Sequence, residues 1–246
     1  TTSRAAGAAD SDFVFDSMTG WYTASPPVDN QSWMFKRATG FMDVIAYRGN
    51  ESGTFQAVPH NLTVIPELVM IKPRNTGDAW QGGSQFGATQ YAFMAFNSSN
   101  GYGLRNYNSG YGDYYSAPTS TAVNVLGSLR DENTDFVGYL FATLAGVSKV
   151  GTYTGTGADL NVDCGFTGGA RFILIKRTDS SGDWYVYDSI LGISVGSSPY
   201  LLLNSTAAQV SGTGYIDPLN AGFTVTSSAP VGLNASSGNY IFLAIA

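Results

Sequence analysis

Two windows of this chain carry the same order of apolar and polar positions. Trp33-Met-Phe-Lys-Arg-Ala-Thr-Gly-Phe-Met-Asp-Val-Ile-Ala-Tyr-Arg-Gly49 aligns without a gap on Tyr139-Leu-Phe-Ala-Thr-Leu-Ala-Gly-Val-Ser-Lys-Val-Gly-Thr-Tyr-Thr-Gly155 (139 − 33 = 106). Phe, Gly, Val, Tyr and Gly recur in register, where unrelated windows of that length share roughly one identity, so a duplicated unit is expected. Phe35, Val44 and Tyr47 should then superpose on Phe141, Val150 and Tyr153, because a one-residue slip would turn every side chain to the other face. The closing Tyr240-Ile-Phe-Leu-Ala-Ile-Ala246 repeats the opening strand a third time.

Short apolar or alternating runs bounded by Gly, Pro and Asn follow one another at hairpin spacing. In the first unit they predict strands at 41–47, 53–58, 67–72, 91–96, 123–126 and 136–141. Pro66 and Pro73 bound the third of these, since proline cannot donate to a ladder. In the second unit they predict strands at 149–154, 160–162, 171–176, 184–188, 200–204, 223–226 and 240–245, with 171–176 aligning on 67–72 (171 − 67 = 104). Ala207–Val210 is read as one helical turn. Phe13-Val-Phe-Asp-Ser17 matches Tyr185-Val-Tyr-Asp-Ser189, so residues 1–32 read as a linker and remnant strands of an earlier copy. The expected fold is all-β: two tandem antiparallel β-sandwich domains of jelly-roll or Greek-key type, 33–138 and 139–246, from an internal duplication.

Composition sharpens this reading. Charged residues are 12% of the 246, against about 25% in an average domain, while Gly (30), Tyr (15) and Phe (14) suit strands and tight turns. A net charge of −6 with only 12 scattered Lys and Arg argues against nucleic-acid binding. The longest apolar run, 240–246, is far short of the roughly 20 residues of a membrane span. The chain begins at Thr1 without Met and is expected to be the carboxyl-terminal part of something longer. Six Asn-x-Ser/Thr matches are expected by chance in so polar a chain.

Candidate chemistry is sparse. His60 and Cys164 are each alone in their type, which leaves no zinc set, no disulfide and no Ser-His-Asp or Cys-His arrangement. Asp183 and Asp188 flank Trp184-Tyr-Val-Tyr187 but stand about 17 Å apart along a strand, on opposite faces, so a hydrolytic pair is not expected. Asp78 and Asp183 occupy similar turn positions. Asp131-Glu-Asn-Thr-Asp135 is oxygen-rich but lacks the spacing of a calcium loop. The oddity is the loop 101–115, where Tyr102, Tyr107, Tyr111, Tyr114 and Tyr115 stand among Gly, Ser and Asn. That is the composition of adaptable recognition loops. These tyrosines and Trp184 are the candidate ligand or subunit contacts; no catalytic residue, metal or cofactor is expected.

Val147-Ser-Lys-Val-Gly-Thr-Tyr-Thr-Gly-Thr-Gly157, Phe172-Ile-Leu-Ile-Lys-Arg-Thr-Asp-Ser-Ser-Gly-Asp-Trp-Tyr-Val-Tyr-Asp188 and Tyr240-Ile-Phe-Leu-Ala-Ile-Ala246 resemble a poorly characterised tandem β domain. It is found at the carboxyl end of tailed-bacteriophage tail-associated and fibre-like structural proteins. The resemblance covers about 33–246 and implies a non-enzymatic virion structural protein on the particle surface, a tail fibre or receptor-binding adhesin. Its implied partners are other virion proteins, host surface glycan or protein, and further copies of itself, as a trimer if it is a fibre. The alternatives are a capsid decoration or head-fibre protein and, in another class, a glycan depolymerase. The last strand, apolar on both faces, also points to a homo-oligomer, because such a strand needs cover on each side.

Overall fold

The computed structural model describes residues 33–51, 55–84, 86–87, 89–101, 103–107 and 114–246, and the backbone of two short paired strands, β1 (Phe13–Ser17) and β2 (Gly20–Thr23). The expected linker at 1–10 lies outside the described residues. The first half follows with β3 (Met42–Arg48), β4 (Gln56–Pro59), β5 (Leu68–Pro73), β6 (Gln81–Ser84), β7 (Gln90–Ala95), β8 (Gly103–Asn106), β9 (Tyr115–Ser116), β10 (Ala122–Val125) and β11 (Asp135–Phe141). The second half supplies β12 (Ser148–Thr154), β13 (Leu160–Asp163), β14 (Phe172–Arg177), β15 (Trp184–Asp188), β16 (Leu201–Leu202), β17 (Ile216–Leu219), β18 (Gly222–Val225) and β19 (Asn239–Ile245). The two described helical pieces are a 3-10 turn at Gly127–Arg130 and a single helical turn, α1 (Val231–Asn234).

The molecule is almost all β, and its named strand pairs are antiparallel. In the first half a six-stranded sheet runs β3-β11-β5-β6-β7-β8, and a three-stranded sheet runs β4-β10-β9. In the second a five-stranded sheet runs β12-β19-β14-β15-β16, with a three-stranded sheet β13-β18-β17. Each small sheet shares an apolar core with its large one, around Ile71, Tyr115 and Phe136 in the first half and Ile175, Tyr187 and Phe223 in the second. A third core joins the halves: Leu68, Met94, Phe96 and Phe141 pack with Leu174, Trp184, Ile241 and Leu243. The layers therefore stack small sheet, large sheet, large sheet, small sheet.

This stacking explains the doubly apolar strands. In β19, Tyr240, Phe242 and Ala244 face the second small sheet, while Ile241 and Leu243 face the first half. β19 is also central, paired with β12 on one side and β14 on the other. Its cover comes from within the chain, so the argument from this strand to an oligomer falls.

Local contacts recur between the halves. Tyr47 stacks on Phe136 (4.9 Å between centroids) and donates to the Leu129 carbonyl at 2.7 Å. Tyr153 stacks on Tyr240 (4.7 Å) and donates to the Leu233 carbonyl at 2.8 Å. Gly40 (φ 76°) and Gly146 (φ 72°) make the left-handed turns that lead into β3 and β12, a conformation that favours glycine.

Three expectations change. The boundary at 138/139 falls inside β11, because Tyr139–Phe141 pair with both β3 and β5 and complete the first large sheet. Val44 and Tyr47 stand in β3 as Val150 and Tyr153 stand in β12, but Phe35 lies outside any strand whereas Phe141 is in β11. Phe35 instead packs edge-on against Phe141 and Phe172, tying the incoming chain to both halves. Ala207–Val210 is not helical; Val210 bridges to Tyr200 in extended conformation.

Candidate functional site

The first half differs from the second by a sixth strand, β8, and the aromatic segment after it. Phe93 on β7 stacks on Tyr114 at 4.3 Å, and the Arg105 guanidinium lies 5.7 Å from the Phe93 ring. Tyr91 stacks on Tyr107 at 5.6 Å and accepts the Tyr114 N–H at its hydroxyl (2.8 Å). Burial pushes the Tyr107 hydroxyl up to about 12. Tyr107 and Tyr114 are half-buried, and Leu104 beside them is exposed. These residues form an aromatic rim at the outer edge of the six-stranded sheet.

Of the candidate contacts, Tyr107 and Tyr114 lie on this rim, while Tyr102 and Tyr111 lie outside the described residues. Tyr115 and Trp184 are core residues and are removed from the set. Tyr115 has no exposed surface and packs edge-on against Tyr91 and Phe86. Trp184 is 2% exposed; it stacks on Phe96 at 4.5 Å and donates its indole N–H to the Ala95 carbonyl at 3.1 Å, across the seam. Both rings fill the gap between facing sheets.

One family model matches residues 32–246, both halves together. The chain belongs to the DUF7483 family, a domain of unknown function. No curated protein and no solved structure matches it. The DUF7483 match begins beside Trp33, whose indole donates to Asp188 at 2.9 Å, so the matched region coincides with the part of the chain locked into the shared core.

Within this DUF7483 chain the candidate residues Asp183, Asp188, His60 and Cys164 are bound or buried in the fold. Asp188 accepts the N–H groups of Ile190 and Leu191 on one oxygen (2.8 Å each) and Trp33 on the other. Asp183 accepts from Asn204 (2.8 Å), which itself receives the Trp184 N–H. His60 is buried, accepts the Leu62 N–H at Nδ1 and meets the Thr119 carbonyl at Nε2; burial lowers its pKa. Cys164 is buried and its thiol is pushed up to about 12 by burial, which keeps it in the unreactive thiol form. Among the described residues no group of three or more His, Cys, Asp or Glu could hold a metal ion, and no helix is long and apolar enough to cross a membrane.

Sequence reasoning missed a pair of buried lysines. Lys72 is the last residue but one of β5 and donates to the Asp78 carbonyl; Lys176, at the same place in β14, donates to the Gly182 carbonyl and to the Ser99 carbonyl at 2.9 Å. Asp78 therefore corresponds to Gly182, not to Asp183. The signal was the recurrence of Lys within the aligned runs 67–72 and 171–176. Burial, against the pull of Asp183, lowers the Lys176 pKa from 10.5 to about 8. Between those values the unfolded chain holds a proton that the folded chain lacks, so stability rises with pH in that window. Wild type should gain about 2–3 kcal/mol on Lys176→Met between pH 7 and pH 10, measured by urea unfolding at each pH. A pH-independent difference would mean that the amine is not depressed.

Proposed function

We propose that this DUF7483 chain is a non-catalytic structural protein of a tailed-phage particle, a duplicated β-sandwich body that presents its surface to the host cell. Duplication is supported by the matching strand orders, the matching Tyr stacks and the matching lysines of the two halves. A compensated swap supports it further. In the first half Gly138 pairs with Ile45; at the corresponding place Phe242 pairs with Gly151, large and small exchanged. A Cβ on Gly138 would meet Ile45 at 2.8 Å, and one on Gly151 would meet the Phe242 ring at 2.7 Å.

The observation that carries the functional reading is the use of the reactive side chains. What the halves share is scaffold, in which Asp188, His60, Cys164, Lys72 and Lys176 are buried and most of them bonded to main-chain groups; what distinguishes them is the aromatic rim of the first half. A body of this kind works by contact. The resemblance to fibre-like virion proteins supplies the setting, in which neighbouring copies and other virion proteins are the further partners and a fibre would be trimeric.

The test is to incubate the purified chain with host cells and follow both cell-bound protein and reducing ends released from surface polysaccharide. Binding without release is expected. Sustained release would make the chain a depolymerase, and no binding would reject adhesion.

A further inference from the structure

A cleft of about 610 Å³ opens on the seam between the halves. Ile65, Pro66 and Phe86 of the first half and Val150 and Ile241 of the second give it apolar walls. Its lip is an unusual exposed apolar run: Val64 is 39% and Ile65 51% exposed, next to Pro66.

Three polar groups line the same space with unused capacity. Ser84, at the end of β6, has no exposed surface, and its Oγ has no hydrogen-bond partner. Buried hydroxyls are ordinarily satisfied, so an orphan on the wall of a cleft marks a place for a ligand atom. Glu67 accepts the Thr143 N–H with one carboxylate oxygen, and its other oxygen has no partner among the described residues. The third group is main chain. Val150 exchanges hydrogen bonds with the Thr143 hydroxyl (3.2 and 3.4 Å), so its N–H and C=O point away from β19. The two-residue period of the ladder then turns the Thr152 N–H and C=O to the same open side, where β12 is the outer strand of its sheet.

We propose that this seam cleft binds a neutral sugar unit. A ring sugar has an apolar C–H face and a rim of hydroxyls, each needing both a donor and an acceptor. The cleft offers apolar walls, a carboxylate acceptor, a hydroxyl that can do both and an open amide pair. A purely hydrocarbon ligand would seal the free Glu67 oxygen away from water and leave the Ser84 hydroxyl without a partner. An anionic sugar would meet Glu67 with no basic residue on the lining to offset the repulsion. The proposal rests on the adhesive reading of the chain and gives that reading a site.

The experiment is an NMR titration of the whole chain with a panel of neutral hexose, deoxyhexose and N-acetylhexosamine oligosaccharides, and with a galacturonate trisaccharide. At least one neutral probe should bind and shift the resonances of 64–67 and 150–152. Ile65→Asp, on the exposed lip, and Ser84→Ala should each weaken it about tenfold or more while leaving thermal unfolding in place. The proposal is overturned if no neutral probe binds, if only the galacturonate binds, or if both variants bind like wild type. Cell adhesion without sugar binding would remove this site and leave adhesion standing. Sugar binding at the cleft without adhesion would keep the site and remove the adhesive role.

Discussion

Trp184→Ala should lower the unfolding free energy by about 3–5 kcal/mol, the range for truncating a fully buried large aromatic. The ring is the largest of the fully buried side chains and sits where the two large sheets meet, stacked on Phe96 and bonded to the Ala95 carbonyl. Its removal leaves a cavity at the seam and a carbonyl without its donor. For a body of this size, a loss of that order moves Tm down by roughly 6–20 °C. Trp184→Phe keeps most of the packing and loses the indole donor, so it should cost only about 1–2 kcal/mol. Because the seam core is continuous with both halves, near-UV signals from the two should be lost together in one transition. A shift below about 1 kcal/mol for the alanine variant, or two separate transitions in wild type, would mean that the halves are independent domains.

The strands were legible where the chain alternates and where Pro or Gly closes a run. β5 starts two residues after Pro66 and takes in Pro73 as its last residue, one beyond the predicted end, and β14 and β15 fall within a residue of their predicted ranges. What periodicity cannot say is which apolar face meets which sheet. β19 reads as a strand with two apolar faces to cover, one of them by a neighbouring copy, yet its second face is covered by the first half, a contact between residues far apart in sequence. The same limit misplaced Tyr115 and Trp184: a tyrosine beside a Gly- and Ser-rich run reads as display, yet Tyr115 stands in β9 and packs against Phe86 and Tyr91 with no exposed surface. The halfway boundary failed for a local reason. The aligned windows begin at residues in different conformations, Tyr139–Phe141 in a strand and Trp33–Phe35 outside one, so the sequence match overran the structural unit. Ser84 and its cleft had no sequence signal, since an ordinary serine becomes an orphan only through what surrounds it.

The compensated swap between Ile45/Gly138 and Gly151/Phe242 gives the second large expectation and the most direct test that both halves follow one plan. Gly138→Phe alone drives a ring into Ile45 and Ile71 and should cost about 3 kcal/mol or more, at the upper end of overpacking. Ile45→Gly alone empties a fully packed site and should cost about 3–5 kcal/mol. Together they reproduce the second half, where Phe242 lies over Gly151 beside Ile175, the counterpart of Ile71. The measurement is the double-mutant cycle by urea unfolding. The duplicated plan predicts that the double variant is more stable than either single one, with a coupling of several kcal/mol. Additive losses, leaving the double variant the least stable of the four, would contradict it.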